Sequence, residues 1–478
     1  MKILYAASEV APFVKTGGLG DVAGSLPQAL AAAGHEVAVV CPLYSKIEDK
    51  WRKKMKLVQK LYVQLAWRSQ YCGILRLRQK GVTYYFIDNE YYFARKMVYG
   101  EYDDAERFAF FSKAVLEMLP ELDFQPDIIN CNDWQTALIP VYYSINYAYR
   151  PWYEKIKTVY TIHNIQYQGQ FGRDIVSYVF GIDDYHFDNG FLEQDGCVNL
   201  MKAAILCAHR VTTVSETYAE EIQTPAYGYR LDSILRWNRG KLYGIINGLD
   251  TKAFDPLKDK SQFVNFSVRS LERKKMNRAG LLELCGLDAN AETPVIGMVT
   301  RFADQKGLDL VAAVLEDILR LDLRLIVLGT GDPAYEWMFR DAMGRHPDKL
   351  HAHIGFDAKL ANQIYGGSDL FLMPSLFEPC GLAQMISMRY GTLPIVRETG
   401  GLKDTVFPYN QYTGEGNGFS FTYYNAHDML HVIEEAVQLF KTNKQAWKAM
   451  QVEGMTTDFS WAASAQKYIE VYEGVINE

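Results

Sequence analysis

The sequence predicts an α/β protein built from two doubly wound domains. Three observations carry this. Short apolar strands alternate with amphipathic helices along all 478 residues. There are more strands than one tidy sheet can hold. A Thr-Gly-Gly-Leu tetrad occurs at 16–19 and again at 399–402, once in each half.

In the first half the strand candidates are ILYAAS, VAVVCP, DIINCN, TVYTIHN, RVTTVS and LYGIIN. In the second they are VIGMVTR, LRLIVLG, LHAHIG, LFLMPS and TLPIVRE. Continuous apolar strands between helices imply parallel sheets covered on both faces. The stretch LDLVAAVLEDILRLD places Leu308, Val311, Ala312, Leu315, Ile318 and Leu319 on one helical face. Residues 250–294 are polar and charged, carry Pro256 and Pro294, and read as a hinge into the second unit. The expected division is 1–248, a Rossmann-like first domain; 249–458, a second; and 459–478, a helix packing back on the first. That helix puts Trp461, Tyr468, Tyr472 and Val475 near one face. In open α/β sheets ligands bind beyond the carboxyl ends of the strands. A deep cleft between two such domains is therefore the expected site.

Composition narrows the function. Apolar residues make up 49% and charged residues 22%, as in an ordinary globular protein. A net charge of −7 argues against a nucleic-acid partner, so any phosphate must be met by a few local cations. The seven cysteines show neither a C-x-x-C pair nor zinc-type spacing, and read as reduced thiols. No targeting segment fits ahead of the first strand and no apolar run suits a membrane, so a cytoplasmic protein without a membrane partner is expected.

The chemistry should sit just after strands. RFADQKG places Arg301 and Lys306 in one turn before a helix. Two cations beside a helix N-terminus suit a diphosphate. PSLFEPCGL places Glu378 on a tight turn, where one carboxylate can accept from two sugar hydroxyls or simply satisfy a helix start. Cys380 reads as a small buried residue rather than a nucleophile. In ETGGLKDTV, Thr399, Gly400 and Gly401 either bring backbone N–H groups to a phosphate or form a structural turn. His163 and Asn164 end the strand TVYTIHN. Asp133, in CNDWQ, either faces the cleft or caps the next helix. No D-x-D triplet occurs, so no metal or other cofactor is expected. KTGGLGDVAG matches neither the dinucleotide fingerprint nor the phosphate loop: its Gly18-x-Gly20-x-x-x-Gly24 spacing is one residue too long, and Lys15 precedes the glycines.

Taken together these turns resemble the bacterial and plant-type glycogen and starch synthases, retaining glucosyltransferases of GT-B type. The matching segments are KTGGLGDVAGSLPQAL, DDAERFAFFSKA, TIHNIQYQG, RFADQKGLDLV, LGTGDPAYE, PSLFEPCGLAQM, MRYGTLPIVRETGGLKDTV and GNGFSF, covering essentially the whole chain. The resemblance implies that Lys15 and Gly18 belong to the donor site, with Arg301 and Lys306 around the sugar diphosphate. It implies that Glu378 contacts the donor glucose, that Cys380, Gly381 and Leu382 line the same turn, and that His163 and Asn164 lie near the reacting sugar. Asp21, Tyr99, Asp133 and Asn247 match positions on the donor or acceptor side. Two residues depart from the pattern: Gln135 where histidine is usual, and Arg230 where glycine is usual. The implied partners are ADP-glucose and an α-1,4-glucan. The implied reaction is glucose transfer with retention by front-face displacement. A related glucosyltransferase with another acceptor, a phosphorylase, and a catalytically silent glucan-binding protein are the rival readings.

Overall fold

The computed structural model describes residues 1–122, 124–290 and 292–478. The chain divides into two compact units, Met1–Gly248 with Trp461–Glu478, and Leu249–Ser460. Within the expected hinge segment 250–294, Ala291 lies outside the described residues.

The first unit holds a nine-stranded sheet. In chain order its strands are β1 (Lys2–Ala6), β2 (Glu36–Pro42), β3 (Lys56–Leu65), β4 (Arg68–Gln79), β5 (Val82–Asp88), β6 (Ile128–Asn132) and β7 (Lys157–Ile162). A separate three-stranded sheet follows, from β8 (Gln170–Phe171), β9 (Glu193–Gln194) and β10 (Cys197–Asn199). β11 (Arg210–Thr213) and β12 (Leu242–Gly244) complete the large sheet. Its order is β12-β11-β7-β6-β1-β2-β5-β4-β3. From β12 to β5 every pairing is parallel.

The expectation of wholly parallel sheets is corrected in the small sheet, where β10 pairs antiparallel with β8 and β9, and at one edge of the large one. β4 pairs antiparallel with both β5 and β3. Here the edge strand β3 alternates toward its end instead of running apolar throughout: Val63 and Leu65 are buried while Tyr62 and Gln64 are exposed. That is the signature of an antiparallel ribbon with one solvated face. The β3–β4 turn hid the ribbon, because Ala66 takes φ 50° without glycine or asparagine to announce it.

The second unit carries a six-stranded, wholly parallel sheet. Its strands are β13 (Val295–Val299), β14 (Arg324–Gly329), β15 (Leu350–Ile354), β16 (Leu370–Met373), β17 (Leu393–Arg397) and β18 (Phe419–Phe421). The order is β15-β14-β13-β16-β17-β18. Numbered by appearance, both parallel sheets follow the Rossmann order, 3-2-1-4-5-6, with one further strand in the first. The chain reverses direction between β1 and β6 in one sheet and between β13 and β16 in the other. The two Thr-Gly-Gly-Leu tetrads follow β1 and β17, which are not equivalent strands, so the repeat reflects local chemistry and not two-fold register.

Helix Leu308–Arg320 buries Leu308, Leu310, Val311, Val314, Leu315, Ile318 and Leu319 against the second sheet, whereas Ala312, expected on that face, is exposed. Helix Trp461–Ile476 packs in the first unit against helix Gly18–Ala32. Its Tyr472 hydroxyl donates to Asn130 Oδ1 at 2.8 Å beneath β6. Among the described residues no helix is long and apolar enough to cross a membrane.

Tyr472→Phe leaves Asn130 Oδ1 buried without that donor, and should lower unfolding stability by about 1–3 kcal/mol in a urea titration.

Candidate active site

In the second unit, the crossovers leave β13 and β16 in opposite directions, and the turns after these two strands form one site. After β13 come Thr300, Arg301 and the short turn Asp304–Lys306; after β16 come Pro374, Ser375 and Glu378. Lys306 Nζ lies 2.6 Å from Glu378 Oε2, with both side chains largely shielded. The Ser375 hydroxyl donates to the same carboxylate oxygen at 3.1 Å. Gln305 ties the turns together: its carbonyl accepts from Leu376 N–H at 2.9 Å and its side-chain amide donates to Phe377 O at 3.2 Å. A pocket of about 240 Å³ opens here, lined by Arg301, Lys306, Ser375, Glu378, Gly381 and Leu382 among others. Arg301 stays solvent-exposed at its rim.

The turns approach at backbone distance, which fixes glycine at three positions. A Cβ on Gly307, at φ 69°, would sit 2.0 Å from Pro374 O. One on Gly400 would sit 2.0 Å from Glu378 O, and one on Gly401 2.0 Å from Cys380 O. Gly401 N–H donates to Glu378 O at 3.2 Å, and Thr399 N–H to Arg397 O at 2.9 Å. Of the two readings left open for Thr399 and Gly401, amides aimed at a phosphate or a structural turn, these bonds favour the turn. Those donors are spent inside the fold, and Thr399, Gly400 and Gly401 brace the Glu378 turn from below. Cys380 is buried in that brace, its carbonyl accepting from Gln384 Nε2 at 3.2 Å. Arg397, at the end of β17, donates to Ser375 O at 2.8 Å and to Leu376 O.

In the first unit the loop after β1 is organised by Glu9, which sequence reasoning missed. Its carboxylate, 2% exposed, accepts from Thr16 N–H and hydroxyl at 2.5 Å, Gly20 N–H at 3.0 Å and Gly17 N–H at 3.2 Å. A carboxylate at the N-terminus of helix Gly18–Ala32 satisfies orphan amides and the positive end of its dipole. The only clue was an acid directly after an apolar strand. Lys15 projects from the exposed lip, paired to Asp21 at 2.7 Å. Its stem lies where a Cβ on Gly20 would meet it at 3.0 Å, and the space around Gly18 is open.

Beside this loop the carboxyl ends of β6 and β7 gather a polar cluster. Asp133, at φ 56°, makes no side-chain cap, so the capping alternative fails. Its Oδ1 instead accepts from His163 N–H at 2.8 Å. Desolvation pushes its carboxyl up to about 7, against the backbone hydrogen bonds from His163 and Asn164. His163 Nε2 lies 2.9 Å from Asn132 Oδ1, and burial holds the imidazole down to about 4. Asn164 Oδ1 accepts from Gln166 N–H at 3.0 Å. The Tyr99 hydroxyl shares a 2.8 Å bond with Ser8, and burial, then Glu9, push that phenol up. Asn247, past the end of β12, is buried and its Oδ1 meets no protein partner among the described residues.

The two departures have structural correlates. Gln135 is buried with Oε1 unpartnered among the described residues. Arg230 sits at φ 71°, the left-handed region glycine adopts at least cost, and pairs with Asp195 at 2.8 Å.

Because the Asp133 carboxyl is raised in the folded state, the native protein holds its proton where the unfolded chain has lost it. Stability then falls from pH 4 to pH 7 by up to on the order of 1.4 kcal/mol per unit crossed, from this group. Asp133→Asn should remove that slope: the variant gains on the parent as pH rises to 7 and loses the gain as pH returns to 4, measured by urea titrations across the range.

Comparison with known proteins agrees with this architecture. The pattern of the starch synthase catalytic domain matches residues 2–237, and that of glycosyl transferases group 1 matches 286–450. The glycogen synthase of Desulforamulus reducens is 50% identical over 476 residues, covering 100% of this chain and 99% of that one. That of Geobacillus stearothermophilus is 50% identical over 478 residues, covering 100% and 98%. The catalytic domain of starch synthase IV from Arabidopsis thaliana, solved bound to ADP and acarbose, superposes with a TM-score of 0.89 at 33% identity, covering 100% of this chain and 99% of that one. A sucrose-phosphate synthase from Thermosynechococcus elongatus shares the fold, with a TM-score of 0.61 at 17% identity over 100% and 99% of the two chains. This chain belongs to the glycogen and starch synthase family of GT-B glucosyltransferases.

Proposed function

We propose that this chain moves glucose from ADP-glucose to the non-reducing end of an α-1,4-glucan, with retention at the anomeric carbon. The observation that carries the reading is one pocket offering two cations, Arg301 and Lys306, beside one carboxylate, Glu378. A nucleotide sugar makes those two demands side by side: a diphosphate that leaves with its charge, and a ring of hydroxyls. Relatives half identical to this chain are named glycogen synthases, and the Arabidopsis structure holds ADP and acarbose.

In the reaction the bond from the anomeric carbon to the β-phosphate oxygen breaks, and a bond to the acceptor hydroxyl oxygen forms. The acceptor proton passes to the departing phosphate. Stabilising the charge on that leaving group contributes most to the rate. Arg301 and Lys306 supply it; in the first unit Lys15, on the loop that Asp21 and Gly18 shape, offers a further cation to a phosphate. Glu378 is the sole carboxylate among the pocket-lining residues, and its Oε2 already accepts from Lys306 and Ser375. Its proposed role is to orient sugar hydroxyls, which supports front-face displacement over a covalent intermediate. Gly381 and Leu382 shape the wall, Cys380 and residues 399–401 brace it, and Asp133, His163, Asn164, Tyr99 and Asn247 offer polar contacts to the sugars.

ADP should appear from ADP-glucose only when glycogen is added, with UDP-glucose much the poorer donor; equal use of UDP-glucose would overturn the donor assignment. Lys306→Ala should lower kcat about 10²–10³-fold, as loss of a transition-state charge contact does. Near-parent turnover in a coupled ADP assay would remove Lys306 from the mechanism.

A further inference from the structure

We propose that Asn132 is a positioning residue: it locks His163 as the Nε2–H tautomer and so presents Nδ1 as a hydrogen-bond acceptor to a sugar hydroxyl. The hydroxyl's identity rests on the glucosyltransferase reading; the lock itself does not.

Asn132 is the last residue of β6 and has no exposed surface. One end of its amide faces two backbone carbonyls, Ala6 O at 2.9 Å and Asn130 O at 3.4 Å. Carbonyls only accept, so that end must be the NH₂ group. The other end is then the oxygen, and it meets the Tyr5 hydroxyl at 2.8 Å and His163 Nε2 at 2.9 Å. An amide oxygen only accepts, so Nε2 must carry hydrogen. A neutral imidazole holds one such hydrogen, which leaves Nδ1 with its lone pair. No residue among those described bonds Nδ1, while the backbone N–H of the same residue is pinned by Asp133. Strand β1 thus sets the tautomer of a side chain just past β7, through an amide on β6.

The surroundings keep that state over the working pH range. Burial holds the imidazole down to about 4, so it is neutral above pH 5. The titratable groups bonded into the same cluster are the Tyr5 phenol on β1, pushed up by burial and donating to Asn132, Asp133 after β6, which accepts from His163 N–H, and Tyr218, which accepts from Ile165 N–H. Glu9 acts on the cluster through Asp133. Asp133 changes charge near pH 7, but an imidazole held down to about 4 stays neutral across that change. An amide, unlike a carboxylate, has no ionisation of its own to disturb the arrangement.

The test is the ¹⁵N spectrum of histidine-labelled full-length protein, with the His163 signals assigned by their loss in His163→Gln. The expected pattern is one neutral tautomer with hydrogen on Nε2, unchanged from pH 6 to pH 8. Asn132→Leu removes the acceptor, and Asn132→Ser offers a hydroxyl that donates as readily as it accepts. Both should move the two nitrogen shifts toward a tautomer average. Both should lower kcat about 10-fold, the cost of one lost hydrogen bond, with a smaller change in KM for the donor. If Asn132→Leu melts early, the serine variant and the parent spectrum decide. Hydrogen on Nδ1 in the parent, or parent-like shifts and kcat in the variants, would overturn the proposal. Failure of the parent to release ADP would sink the glucosyltransferase reading and leave the tautomer result standing.

Discussion

Two adjacent parallel strands whose crossovers depart in opposite directions cannot have their carboxyl ends covered by either crossover. Everything chemical here depends on that constraint. In the second unit it parts the turns after β13 and β16, and Arg301, Lys306, Ser375 and Glu378 stand on those two turns. In the first unit it parts the segments after β1 and β6, and Glu9, Lys15 and Asp133 stand there. The sheets supply no catalytic group of their own; they set where a handful of turn residues must meet.

Open ends alone would give a soft site. What stiffens it is backbone-to-backbone packing that excludes side chains. Gly307 lets the first turn rest on Pro374, and Gly400 and Gly401 let the β17 turn rest on Glu378 and Cys380. Gln305 and Arg397 add hydrogen bonds across the same layers. Glu9 does for the Lys15 loop what these contacts do for the Glu378 turn, replacing solvent at three amides and a hydroxyl with one fixed carboxylate. Lys306 and Glu378, held this way, lose little further freedom when a substrate engages them.

The parallel cores were legible because each strand is a continuous apolar run flanked by helical periodicity. The antiparallel ribbon β3–β5 was not, since its edge strand β3 alternates toward its end and its first turn carries no conventional turn residue. The Arg301, Lys306 and Glu378 site was legible for a related reason: each sits a few residues past an apolar strand, where position restricts role. Its bracing was harder to read. Thr399 and Gly401 have the composition of a phosphate loop, and only the approach of Glu378 O shows where the Gly401 amide goes. Glu9 and Asn132 were harder still, each being a single polar residue near a strand end outside any motif, with Tyr5 and His163 far from Asn132 along the chain.

In the proposed reaction the two members of the 2.6 Å pair take opposite tasks, Lys306 the diphosphate and Glu378 the sugar. Calorimetric titration of ADP, which lacks the sugar, separates them. Lys306→Ala should bind ADP at least about 10-fold more weakly than the parent, the scale of one lost charge-assisted contact. Glu378→Gln should bind it at least as tightly, because the lysine is then released to the diphosphate. Equal loss of ADP affinity in the two variants would contradict the assignment.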